Sequence, residues 1–287
     1  MRADLLRLGR GEAALDALDL DFRHLLSSWF NRGFLVLMPI TWESPAHILE
    51  KIIAYEAVHA IDSWGALRAR LEPADRRCFA FFHPAMPDEP LIFVEVALTG
   101  GIPGSVQGVL SEDRPVLEAE GADTAVFYSI SNCQAGLASI SFGNSLIKQV
   151  AADLSTALPN LKTFVTLSPI PGFAAWLQEA GYDVPAGDPT RLTGLTALYL
   201  TTAKRPDGLP RDPVARFHLG NGAEVHRLHA NADVSPKGMQ QSHGVMVNYL
   251  YDLSRVSQNH ERYAASSEIA ASPEIRALTI AAEKAKA

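Results

Sequence analysis

Hydrophobic positions along the chain show two textures, with a change near residue 76. Before it, Leu15, Leu18, Phe22, Leu25, Leu26 and Trp29 recur at three- and four-residue steps, the spacing of one buried helix face. Ile48, Leu49, Ile52 and Tyr55 form the stripe of a second helix. Ser44 is its expected N-cap and Pro45 its first residue, where a missing N–H costs nothing. A shorter helix is expected over 63–71, so the first seventy residues read as helical.

Beyond that point, runs rich in Phe, Val and Ile alternate with Pro and Gly, which predicts strands over 76–82, 91–99 and 124–131. The charged stretch 112–123 is expected to be solvated. Leu146, Ile147, Val150 and Leu154 mark a helix over 145–157, and an apolar strand follows over 161–167. Strand, helix, strand implies a right-handed parallel crossover. Ligands of such sheets gather at the carboxyl ends of the strands. Further helices are expected near 171–180 and 191–203, then a Pro- and Gly-rich linker over 205–213. A hairpin is expected over 213–228, turning at Gly220-Asn221-Gly222 with His218 just before the turn. A short strand over 245–251 precedes a helical tail.

Composition narrows the class. Of 287 residues 47% are hydrophobic and 20% charged, enough for a real core and far from a disordered chain. A formal charge of −7 excludes a predominantly basic nucleic-acid binder. Cys78 and Cys133 form no CxxC pair, which argues against zinc ribbons and disulfide scaffolds and fits a reducing compartment. The longest apolar run, 34–40, contains Pro39 and falls far short of the roughly 20 residues a membrane span needs. Asp4 and Arg7 break any signal-peptide pattern. The expectation is a soluble cytoplasmic protein with no membrane and no nucleic-acid partner.

Two features converge at the crossover. The loop between Ser131 and Ser145 holds Gly136 and Gly143 and opens onto a helix N-terminus, where free N–H groups and the helix dipole attract anions. In Ser168-Pro169-Ile170-Pro171-Gly172-Phe173, two prolines fix φ and hold Ser168 at the strand tip. Other motifs lead nowhere. Gly104-Ser105-Val106-Gln107-Gly108 has its serine one place early for a hydrolase elbow and reads as a turn. His226 and His229 sit three apart in a strand, face opposite sides and read as solvated or packing residues. On the residues alone, Ser168 reads as a helix N-cap or a catalytic hydroxyl, and His218 as a structural or a catalytic imidazole. Residues 132–144 read as an anion loop or a plain connection, and Asn248 and Tyr251 as strand residues.

Several stretches carry a resemblance. They are Ser28-Trp29-Phe30-Asn31, Glu50-Lys51-Ile52-Ile53-Ala54-Tyr55-Glu56-Ala57-Val58-His59, Phe81-Phe82-His83-Pro84-Ala85-Met86-Pro87, Tyr128-Ser129-Ile130-Ser131-Asn132-Cys133-Gln134-Ala135-Gly136-Leu137, Leu167-Ser168-Pro169-Ile170-Pro171-Gly172-Phe173 and Phe217-His218-Leu219-Gly220-Asn221-Gly222-Ala223. In order from about residue 21 to the tail, the chain resembles the malonyl-CoA decarboxylase family. The resemblance implies an α/β (α+β) fold of the acetyltransferase-like (GNAT) kind, a mixed sheet flanked by helices and preceded by a short helical segment. Residues 1–72 would be a remnant of the family's N-terminal helical region, which serves oligomerisation, and 73–287 the GNAT-like catalytic domain. A homo-oligomer is the expected assembly.

Carried over position by position, Ser168 and His218 match the family's catalytic serine and histidine. Ala138, Ser139, Ile140, Ser141, Phe142, Gly143 and Asn144 match the segment that holds the CoA thioester, and Tyr251 a tyrosine near the active site. Leu250 stands where the family usually has Arg. The implied reaction turns malonyl-CoA into acetyl-CoA and CO2 through a thioester enolate, a step in fatty acid metabolism. It needs no metal or biotin, because the thioester carbonyl is the electron sink and CoA belongs to the substrate. Ser168 would orient the malonyl carboxylate, His218 would protonate C2, and backbone N–H groups at an open strand gap would stabilise the oxyanion. The alternatives are a non-catalytic acyl-CoA-binding or regulatory module and an acyl-CoA N-acyltransferase.

Overall fold

Strands form where the apolar runs are continuous, and helices where the apolar residues keep a three- to four-residue period. A computed structural model describes residues 1–8, 12–138, 140, 146–183 and 188–285. In chain order the elements are α1 (Arg2–Leu8), α2 (Ala13–Trp29), β1 (Val36–Ile40), α3 (Ala46–Tyr55), α4 (Trp64–Leu71), β2 (Arg76–Phe82), β3 (Ile92–Thr99), α5 (Val106–Leu110), β4 (Thr124–Asn132), α6 (Leu146–Ala157) and β5 (Thr163–Thr166). There follow α7 (Phe173–Glu179), α8 (Pro189–Thr202), α9 (Pro213–Gly220), β6 (Glu224–His229), α10 (Pro236–Ser242), β7 (Met246–Leu250), α11 (Val256–Ser266) and α12 (Pro273–Lys284). The strands line up as one mixed sheet in the order β1-β2-β3-β4-β5-β7-β6.

The chain divides into two units, Met1–Val96 with Ser129–Asp153 and Ala97–Tyr128 with Leu154–Ala287. In the first, α3 and α4 turn Ile48, Leu49, Ile52 and Leu67 onto Cys78, Ala80 and Phe82 of β2. Ser63 caps α4 by accepting the Ala66 N–H at 3.0 Å. Arg2, buried in α1, pairs with Asp19 at 2.8 Å and donates to the Gly136 and Ala138 carbonyls at 2.6 and 2.8 Å. In the second unit Val126, Val165, Leu167 and Met246 pack with Val106 and Val109. Burial of each such side chain is worth about 1.5–3 kcal/mol.

β4 and β5 run parallel, as the crossover predicts, with Thr124 to Phe127 beside Thr163 to Thr166. On its other edge β5 pairs antiparallel with β7, Val165 beside Leu250. Leu167 N–H still reaches the Phe127 carbonyl at 3.1 Å, but Ser168 exchanges both backbone hydrogen bonds with Val247, at 2.9 and 3.0 Å.

Four expectations need correction. Residues 36–40 are a strand, not part of a helical region; they pair antiparallel with β2 at the end of the sheet order, where Pro39 is tolerated. Pro45, not Ser44, occupies the N-cap of α3, and Ser44 Oγ accepts the Thr41 N–H instead. The expected buried face of α2 is only half-buried, at Leu15, Phe22 and Leu26, while Leu18, Leu25 and Trp29 are exposed. The largest departure is at 213–220, which form helix α9 and not the first arm of a hairpin. Asp212 accepts the Val214 and Ala215 N–H groups, both at 2.9 Å, and Pro213 follows at the first helical position. Gly222, at φ 84°, turns the chain out of that helix into β6.

Candidate active site

Ser168 lies one residue past Leu167 on the tip of β5, and His218 in the last turn of α9. Their side chains meet: Ser168 Oγ is 3.2 Å from His218 Nε2. Ser168 is not a helix cap, since α7 starts at Phe173 with Gly172 at its N-cap. Tyr251, just past β7, completes the contact, its hydroxyl 2.8 Å from His218 Nδ1. Tyr249, two residues earlier on the same strand face, stacks on the imidazole with ring centres 4.5 Å apart.

Donors and acceptors are ordered around the serine. Ser168 Oγ donates to Thr166 Oγ1 at 2.8 Å, and the Tyr249 N–H also donates to Thr166 Oγ1, at 3.1 Å. A Ser168 Oγ that gives its one proton to Thr166 can only accept from His218, and the tautomer that fits both contacts carries its proton on Nε2 with Nδ1 toward the Tyr251 hydroxyl. Asn248, on the other face of β7, donates through Nδ2 to the Thr166 carbonyl at 2.7 Å and accepts His229 Nε2–H at 2.6 Å through Oδ1. His229 is therefore a strand histidine tied into this network, and His226 lies 3.3 Å from Glu224.

Burial sets the charge state. His218 is 2% exposed, and desolvation pushes its pKa down from 6.5 to about 3, so the ring is neutral at pH 7. Its place at a helix C-terminus acts the other way, since that end favours a cation by up to about 2 kcal/mol. The drop from 6.5 to 3 corresponds to roughly 5 kcal/mol, so burial wins. Burial also raises the Tyr249 and Tyr251 phenols well above their usual value. Asp212, at the start of the histidine's helix, has its carboxyl pKa raised by burial as well.

The CoA segment expected at 138–144 is only partly in view: Ala138 and Ile140 are described, while Ser139 and 141–144 lie outside the described residues. In the first unit, Glu56 joins two of the stretches that carry the resemblance. Its carboxylate accepts the Val58 and His59 N–H groups, both at 2.8 Å, and the hydroxyls of Ser129 at 2.7 Å and Ser131 at 3.2 Å.

Thr166, Asn248, Tyr249 and Asp212 escaped the sequence reading as site residues. Asp212 had a signal, an Asp-Pro pair of the kind that opens helices, outweighed by the Gly-Asn-Gly turn. For the other three no local pattern exists, because the pairing of β5 with β7 makes them neighbours.

The chain shares its fold with the loading GNATL domain of CurA from Lyngbya majuscula, at 15% identity and a TM-score of 0.53 over 77% of this chain and 98% of that one, which speaks for the acetyltransferase-like fold alone. The malonyl-CoA decarboxylase structure from Agrobacterium vitis is 54% identical with a TM-score of 0.89, covering 96% of this chain and 74% of that one. The mitochondrial malonyl-CoA decarboxylase of Anser anser anser is 38% identical over 88% of this chain and 59% of its own length, so the chain spans about three-fifths of that relative. Residues 1–30 match the malonyl-CoA decarboxylase N-terminal domain, and residues 33–186 and 188–287 the malonyl-CoA decarboxylase C-terminal domain. A serine at a strand tip and a buried histidine, brought together fifty positions apart, thus sit in a chain that belongs to the malonyl-CoA decarboxylase family.

Proposed function

We propose that this chain decarboxylates malonyl-CoA to acetyl-CoA and CO2, with Ser168 and His218 as the catalytic pair. The observation that carries the reading is the buried Ser168–His218–Tyr251 contact, with hydrogen bonds of 3.2 and 2.8 Å, in a chain of this family. The Ser168 hydroxyl turns from Thr166 to the malonyl carboxylate and holds the breaking C–C bond perpendicular to the thioester plane. The electron pair of that bond moves into the thioester carbonyl as CO2 leaves.

One proton is consumed, and His218 supplies it. Neutral where it is buried, the imidazole gains a proton when the substrate's negative charge arrives, because a nearby opposite charge favours the cation. Its Nε2 proton then passes to C2. The thioester carbonyl is the electron sink, so the chemistry calls for no metal or biotin. The resemblance gives Ala138 to Asn144 the CoA thioester. Homo-oligomeric assembly and a cytoplasmic location belong to the same proposal, the latter supported by the unpaired, buried thiols of Cys78 and Cys133.

The test is direct. Purified chain incubated with malonyl-CoA should release acetyl-CoA, and Ser168→Ala and His218→Ala should each lower kcat by about 10²–10⁴-fold. Stabilisation of the fold by CoA in a thermal-shift titration without any acetyl-CoA formed would replace the enzyme by an acyl-CoA-binding module. Full turnover by either variant would remove that residue from the mechanism.

A further inference from the structure

Thr166 is fully buried and its hydroxyl oxygen receives two hydrogen bonds, one from the Tyr249 N–H and one from Ser168. The backbone bond fixes where that oxygen sits, because it belongs to the β5–β7 pairing. The Asn248 amide locks the Thr166 carbonyl from the other face of β7. Thr166 is therefore a rigid acceptor 2.8 Å from Ser168 Oγ. At the far end of the same chain the Tyr251 hydroxyl stands 2.8 Å from His218 Nδ1.

We propose that Thr166 is a positioning residue that sets the direction of the Ser168–His218 hydrogen bond: Ser168 gives its proton to Thr166 and accepts from His218 Nε2–H. The inference rests on the decarboxylase reading for its catalytic meaning, and on hydrogen-bond geometry for its existence.

The direction matters chemically. A serine that donates to a histidine is a nucleophile beside its base. In that arrangement Ser168 Oγ would attack the thioester carbon, its proton would pass through His218 to the departing CoA sulfur, and water would then release malonate from the acyl-serine. The C–S bond would break where decarboxylation breaks C–C. With the proton turned to Thr166, the imidazole offers Ser168 a donor instead of a base, and the serine keeps a proton ready for the malonyl carboxylate. Thr166 thereby favours one cleavage of malonyl-CoA over the other.

The tautomer of His218 is the readout, because a residue that only packs would not move it. Long-range ¹H–¹⁵N correlation spectra of the free chain should show a neutral ring with Nε2 protonated and Nδ1 bare. Thr166→Val removes the acceptor at constant shape, so the Ser168 proton should swing to Nε2 and the ring should switch to Nδ1–H; Thr166→Ser should restore the original signal. With malonyl-CoA, Thr166→Val should lose acetyl-CoA production and gain malonate and free CoA, with little change in KM. Should Thr166→Val not fold, Tyr251→Phe removes the other end of the chain and the same spectra read the ring. A wild-type ring protonated on Nδ1, or a Thr166→Val ring still protonated on Nε2, overturns the proposal. The expected tautomers in a chain that makes no acetyl-CoA would leave the positioning role intact and overturn the reaction alone.

Discussion

Replacing His218 by Gln should flatten part of the acid sensitivity of this fold. The imidazole has a pKa of about 3 in the native chain against 6.5 when free of the fold, the whole shift coming from desolvation. Groups facing it are the Ser168 and Tyr251 hydroxyls and the Tyr249 and Phe217 rings, and none carries charge at neutral pH. A histidine with a lowered native pKa binds fewer protons folded than unfolded, so its contribution is complete above pH 6.5 and is lost as pH falls toward 3. Integrating the linkage relation between pH 7 and pH 5 gives a loss of about 2 kcal/mol, out of a limit of roughly 5 kcal/mol reached near pH 3. Urea unfolding of wild type and His218→Gln at pH 7, 6 and 5 measures it. The variant starts less stable, but its decline on acidification should be shallower by about 2 kcal/mol. Other titrating groups act on both chains and cancel in the double difference. Parallel declines would show that the native ring titrates normally, and would refute the claim that the resting site is neutral.

Substitutions at three further positions probe how the two units are built. Glu95 is buried beside Arg70, 3.0 Å away, and burial still pushes its carboxyl up to about 8. Its contribution therefore falls as pH rises from 4.5 to 8, because the unfolded carboxylate ionises first; Glu95→Gln should abolish that component, and identical urea midpoint shifts in both chains between pH 5 and 8 would count against it. Asp212→Ala removes the cap of the helix that carries His218 and should cost about 0.5–2 kcal/mol, whereas Asp212→Asn should retain most of the stability; equal losses in urea would contradict the capping role. Gly222→Ala forces a side chain into positive φ and against the Val256 carbonyl, and a loss of roughly 2–4 kcal/mol is expected in the same assay; a thermally unchanged variant would show that this turn has room.

Strands buried on both faces were legible because their signal is local and continuous. β2 matched its expected span, and β3 and β4 fell within a residue of theirs. The misreadings came from competing signals. Pro39 inside an apolar run argues against a central strand, but β1 has a partner on one side only, so the missing N–H is harmless there. Gly220-Asn221-Gly222 does turn the chain, yet it ends a helix instead of joining two strands, and the Asp212-Pro213 pair at the other end settles which. The stripe of α2 correctly gave a helix, but periodicity does not say what covers it, and Leu18, Leu25 and Trp29 are exposed. Within the site, the alternating prolines after Ser168 marked it at a strand tip, while only resemblance gave His218 and Tyr251 a place beside it. Thr166 and Asn248 look like ordinary strand residues until β5 and β7 are placed side by side.

That placement explains why one short strand suffices to build the site. β5 pairs with β4 along one edge and with β7 along the other, and the β7 side runs on to Ser168 opposite Val247. Along β7 the side chains alternate: Tyr249 and Tyr251 point to the face that receives α9, one stacking on His218 and the other bonding it, while Asn248 points away and ties the Thr166 carbonyl to His229. A shift of the β7 register by one residue would send both tyrosines to the wrong face and leave the imidazole without its Nδ1 partner. The same packing excludes water from His218 and withholds its proton, which makes the fold acid-sensitive. On the proposed decarboxylation, which consumes a proton, a histidine that is neutral at rest would be charged only when an anion accompanies it. On that reading, the burial that costs stability below pH 6.5 would also make protonation conditional on substrate.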